Sequence, residues 1–135
     1  MVGLVRLGYF EGFKSGNTLL LDGDREGLQQ LDETLQQLAS GGVEAVAIHS
    51  LPFIEAHHGV RLVARVAPRD TGTLQGAGTE FEWKRTSSGW EEAAEKVAVI
   101  SQSRCGHHYL DAFKDEVTVM VSSGEYGSQW GDKNG

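Results

Sequence analysis

The chain has 135 residues, with 12 basic and 19 acidic side chains, a net charge of −7 at neutral pH and a single cysteine. That length suits one domain, and 39% apolar with 23% charged residues is too apolar a composition for a disordered chain. Both halves of the sequence are acidic, which argues against a nucleic-acid footprint, and one cysteine excludes an intrachain disulfide or a zinc module built on two or four cysteines.

The opening Met1-Val-Gly-Leu-Val-Arg-Leu lacks the sustained apolar stretch behind a basic end that a signal peptide needs. Charges interrupt every window long enough to span a bilayer, so the expectation is a cytoplasmic domain without a membrane partner. Two short strands are predicted at Leu4 to Phe10 and Asn17 to Asp22, with a turn between them. Leu28, Leu31, Leu35 and Leu38 then recur at steps of three and four residues among glutamines and acids, which predicts an amphipathic helix near residues 24–40. Asp22 and Asp24 offer capping oxygens at its start, and Gly41-Gly42 supplies its stop.

Val43 to His49 reads as a mostly apolar strand, Ser50 to Gly59 as a loop broken by Pro52, and Val60 to Ala67 as an alternating strand with Arg61 and Arg65 outward. Pro68 to Gly78 is rich in glycine and threonine and reads as a connector. Thr79 to Arg85 alternates again, Phe81 and Trp83 inward, Glu80 and Glu82 outward. Ser88-Gly-Trp-Glu91 matches a capping box ahead of a second helix near residues 89–104, stopped by Gly106. His107 to Asp111 and Glu116 to Ser122 read as the last two strands. The fold class expected is α+β: a two-layer sandwich of one antiparallel or mixed sheet with both helices on one face. Residues 1–67 and 79–122 form two pseudo-halves of one domain, 1–135, a possible internal duplication, and 123–135 form a flexible tail.

Chemistry-bearing residues gather in Cys105-Gly-His-His-Tyr-Leu-Asp111. Cys105, His107, His108 and Asp111 are the residues that could ligate a metal, but neighbouring histidines on a strand point to opposite faces and cannot share an ion unaided. Cys105 as a nucleophile would sit after a helix, where the dipole's negative end raises a thiol pKa. The glycines of Gly72 to Gly78 lack the lysine and helix of a phosphate loop, so no cofactor is expected and no catalytic residue is assigned. The paired carboxylates Asp32-Glu33, Glu91-Glu92 and Asp115-Glu116 fall on predicted solvent faces or turns. Trp90 opens an apolar helical stripe and belongs to a core. Tyr109, Glu125, Tyr126 and Trp130 belong to no stripe and are the candidate partner-binding residues.

The blocks Phe81-Glu-Trp83, Trp90 to Lys96, Gly106-His-His-Tyr-Leu-Asp111 and Val119-Met-Val-Ser-Ser-Gly-Glu-Tyr126 resemble a group of small uncharacterised bacterial α+β proteins. In that group the last two blocks read roughly Gly-His-Gln-Tyr-Leu and Val-Ser-x-Gly-Glu-Tyr, so His108 stands where a glutamine is expected. Some proteins of this kind are regarded as immunity proteins that neutralise polymorphic toxins. The resemblance implies a non-enzymatic domain that binds a protein partner, and the acidic charge favours a basic one. Two other functions fit the residues: a small metal-dependent or thiol enzyme centred on Cys105, His107 and His108, and a structural homo-oligomer joined at sheet edges.

Overall fold

The computed structural model describes residues 3–13, 16–102, 106–111 and 117–124. In chain order these form β1 (Val5–Phe13), β2 (Gly16–Gly23), α1 (Arg25–Ser40), β3 (Ala45–Ala47), a 3-10 turn (Ile48–Ser50), β4 (Ile54–Ala56), β5 (Arg61–Val66), β6 (Gly72–Gln75), β7 (Glu80–Arg85), α2 (Ser87–Ser101), β8 (His107–Asp111) and β9 (Thr118–Ser122). The class is α+β. No helix among the described residues is long and apolar enough to cross a membrane.

The strands divide into two mixed sheets, where the sequence suggested one. One has five strands in the order β4-β1-β2-β9-β8, the other four in the order β3-β5-β7-β6. Each sheet joins two antiparallel pairs through a parallel junction. β1–β2 meets β8–β9 along β2 and β9, while β3–β5 meets β6–β7 along β5 and β7. Each junction therefore unites a strand from the first half of the chain with one from the second. One of the chain's passages between the sheets is made at His58 and Gly59, whose φ values of 56° and 71° turn the chain sharply between β4, which pairs with β1, and β5, which pairs elsewhere. An isolated bridge between Thr73 and Val117 links β6 to the residue ahead of β9.

Two stretches taken as irregular hold strands. The connector 68–78 contains β6, whose glycine and threonine pair with Lys84 and Trp83. The loop after Pro52 contains β4, and the strand predicted from Val43 is reduced to Ala45–Ala47 before the 3-10 turn.

Asp24 caps α1: its Oδ1 accepts the Gly27 N–H at 2.7 Å and also the Leu4 N–H at 3.1 Å, so one carboxylate starts the helix and pins the entry to β1. A Cβ at Gly27 would lie 2.5 Å from the Leu4 carbonyl oxygen, so only glycine permits this approach. Gly41 ends α1 in the left-handed region at φ 83°. α2 starts two residues earlier than expected, because Thr86, not Ser88, is its cap; Thr86 Oγ1 accepts from the Gly89 N–H, and Asp70 accepts from the Thr86 N–H. It ends at Ser101, well before Gly106.

The two helix starts correspond residue by residue at a constant separation along the chain. Asp24 matches Thr86 and Gly27 matches Gly89; Leu28, Leu31, Leu35 and Leu38 match Trp90, Ala93, Val97 and Ile100, all buried. The same separation matches Leu19 and Leu21 on β2 with Phe81 and Trp83 on β7. These side chains fill one core lined by both helices and by the inner faces of both sheets. Trp83 and Trp90 meet edge to face at 4.6 Å, Tyr9 and Phe81 contact across the two sheets at 4.8 Å, and the Trp90 indole N–H donates to the Arg65 carbonyl.

α1 and α2 pack side by side and antiparallel: Arg25 at the start of α1 donates to the Ser101 carbonyl at the end of α2. Leu35 is fully buried at this junction of helix and core. Leu35→Ala is expected to cost about 2–5 kcal/mol in chemical denaturation, as for other buried leucine truncations. Leu74→Ala, at a side chain 45% exposed on β6, is expected to stay within about 0.5 kcal/mol of the parent.

Candidate functional site

β8 carries His107, His108, Tyr109 and Asp111, half of the candidate residues. Strand alternation sends His107 and Tyr109 to one face and His108 and Leu110 to the other, so the two histidines diverge. Tyr109 stacks edge-on to His107 at 5.9 Å, whereas Leu110 enters the main core. Cys105 and the side chain of Asp111 lie outside the described residues, as do Glu125, Tyr126 and Trp130. Among the described residues no group of three or more histidine, cysteine or acidic side chains is placed to hold a metal ion.

Tyr109 does not stand alone on an open surface. It packs, with Phe10, against Leu20 and Met120, a second apolar cluster on the side of the five-stranded sheet away from the main core. The parallel register of β2 and β9 aligns Thr18 with Thr118, Leu20 with Met120 and Asp22 with Ser122, and all six are buried. This row rests on Asp22, whose Oδ1 accepts from Ser122 Oγ at 2.8 Å and from the Gly124 N–H at 2.7 Å. Ser123 also donates to the Gly106 carbonyl, so the segment expected to fray from 123 is held through Gly124. The sequence signal for this buried second face was the unbroken apolar run of β2 and of β9, which marks strands covered on both sides.

Arg85 ties β8 to the other sheet. Its side chain is 7% exposed, and Nη1 donates to the Leu110 carbonyl at 3.0 Å, where the β8–β9 register shifts. Asp70 and Glu92 carboxylates each lie 3.7 Å from the guanidinium, and Lys96 bridges Glu92 at 3.3 Å to the Tyr109 carbonyl. This arrangement neutralises a buried cation and fixes the edge strand; it offers no nucleophile beside a base.

The four-stranded sheet turns a charged face outward. Arg61, Val63 and Arg65 on β5 register against Glu80, Glu82 and Lys84 on β7, the orientation expected from alternation. Arg65 Nε donates to Glu82 at 2.9 Å and Lys84 Nζ lies 3.3 Å from it. Arg65, with Lys84 beside it, holds the Glu82 carboxyl below the ordinary carboxylate value. On the neighbouring sheet Glu55 is matched in the same way by His57 at 2.9 Å and Arg6 at 3.7 Å.

The helix pair differs from both sheets. Together α1 and α2 carry six acidic residues against two basic ones, Arg25 and Lys96. Between the helices runs a groove of about 420 Å³, with Ala39, Ala94 and Ala98 among its lining and Asp32, Glu91 and Glu95 along it. Neither Glu91 nor Glu95 forms an ion pair with a described residue, and Asp32 accepts only from Gln36. In the sequence Asp32 and Glu91 belong to carboxylate pairs that read as solvated; the antiparallel contact sets them, with Glu95, along one groove. No protein-family model matches the chain, and no curated protein or solved structure is detectably similar to it.

Asp22→Ala strands two donors on the buried row and is expected to cost about 1.5–3 kcal/mol, the range for hydrogen bonds to a charged group, with Asp22→Asn recovering part of that loss in denaturation. A carboxylate held below its ordinary value stabilises the fold above that value and loses the contribution as pH falls through the lowered one. An NMR titration of the Glu82 carboxyl should therefore show a midpoint below 4.5, moving toward it in Arg65→Gln.

Proposed function

We propose that this chain is a non-enzymatic protein-binding domain of the bacterial immunity type, acting in the cytoplasm on a basic protein partner. The two matching halves are an internal duplication, and the helix pair forms one layer over the core they share. The observation that supports the binding reading is the segregation of charge. Glu82 and Glu55 on the sheets are matched by neighbouring cations, whereas Glu91 and Glu95 on the helix pair have none among the described residues. Unmatched surface carboxylates steer a basic partner over distances of about a Debye length, roughly 8–10 Å at physiological salt. A domain that masks the basic groove of a toxin needs this one-signed face and no reactive group.

The divergence of His107 and His108 weighs against an enzyme centred on them, since a shared ion or proton relay needs both on one face. Tyr109 serves as a support, because its ring is engaged with Leu20 and Met120. Glu125, Tyr126 and Trp130 remain candidate contacts within the same reading.

Titration of the purified protein with the product of the adjacent gene tests the proposal. A stoichiometric complex is expected, its affinity falling about tenfold or more between about 50 mM and about 500 mM salt. Co-expression is expected to relieve any toxicity of that product. No complex at low salt, or one indifferent to salt, would overturn the reading.

A further inference from the structure

We propose that the groove between α1 and α2 is the docking site, and that it takes a basic amphipathic helix of the protein partner, an inference that rests on the binding function above. The groove's floor is small and apolar. Ala39, Ala94 and Ala98 leave the backbones of both helices within reach of a third element, as small residues do wherever helices approach closely. The lining runs over residues 32–40 of α1 and 91–98 of α2, about 12 Å of trough at the usual rise, the footprint of about two turns of a partner helix.

The rim selects the charge of that helix. Asp32 contributes a carboxylate from α1, and Glu91 and Glu95 contribute two from α2. Glu91 and Glu95 stand four residues apart on one helix face, where like charges repel. Lys96, the cation nearest to them in sequence, is engaged by Glu92 and the Tyr109 carbonyl. Arg25 donates to the Ser101 carbonyl. Among the described residues the repulsion therefore goes unrelieved, and a cation from a partner relieves it. Arginine fits best: its aliphatic stem lies over the alanine floor, and its guanidinium reaches two carboxylate oxygens at once. On the sheets Glu82 and Glu55 are engaged by Arg65, Lys84, Arg6 and His57, and the exposed Glu80 stands in register beside Arg61.

The probe is a labelled synthetic helix of about 18 residues, carrying arginine at helical spacings of three and four and alanine between them, compared with the same peptide bearing glutamate for arginine. With the full chain, the basic peptide is expected to bind and the acidic one not. Glu91→Lys/Glu95→Lys should weaken binding about tenfold or more, as loss of complementary charge pairs does. Glu44→Lys/Glu80→Lys makes an equal charge change at exposed positions just ahead of β3 and on β7 and should have a much smaller effect. Ala98→Gln fills the groove without changing charge and should also weaken the peptide; melting temperatures confirm that each variant folds. Equal losses in the two lysine pairs, or none in Glu91→Lys/Glu95→Lys, would overturn the groove. If the adjacent-gene product still binds Glu91→Lys/Glu95→Lys with parental affinity, the docking site is wrong and the binding function stands. If neither that product nor the peptide binds the parent protein, both fall together.

Discussion

The fold depends on two parallel junctions, β2 beside β9 and β5 beside β7, each of which completes a sheet with one strand from the first half of the chain and one from the second. An antiparallel pair of short strands is marginal alone and needs further strands or a packed helix for stability. The β1–β2 pair gains β9 from the far end of the chain, and the β6–β7 pair gains β5, which lies just ahead of β6. The exchange also decides what the core contains. Leu19 and Leu21 face inward from one sheet, Phe81 and Trp83 from the other, and the helices supply two equivalent stripes between them.

The correspondence of the halves makes their differences informative. On β2 the outward residues are Thr18, Leu20 and Asp22, all buried, whereas the matching positions on β7 are Glu80, Glu82 and Lys84 in contact with solvent. One sheet has thus acquired a second buried face, and the other presents a charged, internally balanced one. The helices diverge likewise. α1 has leucine at each inward position, whereas α2 fits a tryptophan and an alanine and so accommodates the Trp83 ring. What remains one-signed and unmatched is the outer side of the helix pair, which is why the functional argument moves there and away from β8.

Much of the element content was legible in the residues. The leucine stripe, the inward Phe81 and Trp83 and the outward Arg61 and Arg65 follow from periodicities that depend only on local geometry. The number of sheets was not legible, because alternation says which side of a strand is apolar and nothing about which strand lies beside it. β6 was hidden by composition: Gly72 and Thr73 look like linker, yet they pair with Lys84 and Trp83 because β7 offers an open edge. The surroundings of Tyr109 were hidden for a related reason. Its partners Leu20 and Met120 are distant in sequence, and only the β2–β9 register brings them beneath its ring. Of the groove, the acids were visible and their shared rim was not.

The exchanged strands bear on how the molecule comes apart. In most repeat folds one unit can open while its neighbour stays intact, since each keeps its own hydrogen-bonded framework. Here, opening either half strips β9 or β2 from one sheet and β5 or β7 from the other, leaving two lone pairs and an uncovered helix. Partial opening thus exposes nearly as much apolar surface as complete unfolding while recovering little chain entropy. The slowest amide protons of both sheets should consequently share a single opening free energy, a sign that the chain has one cooperative unit despite its two-part design.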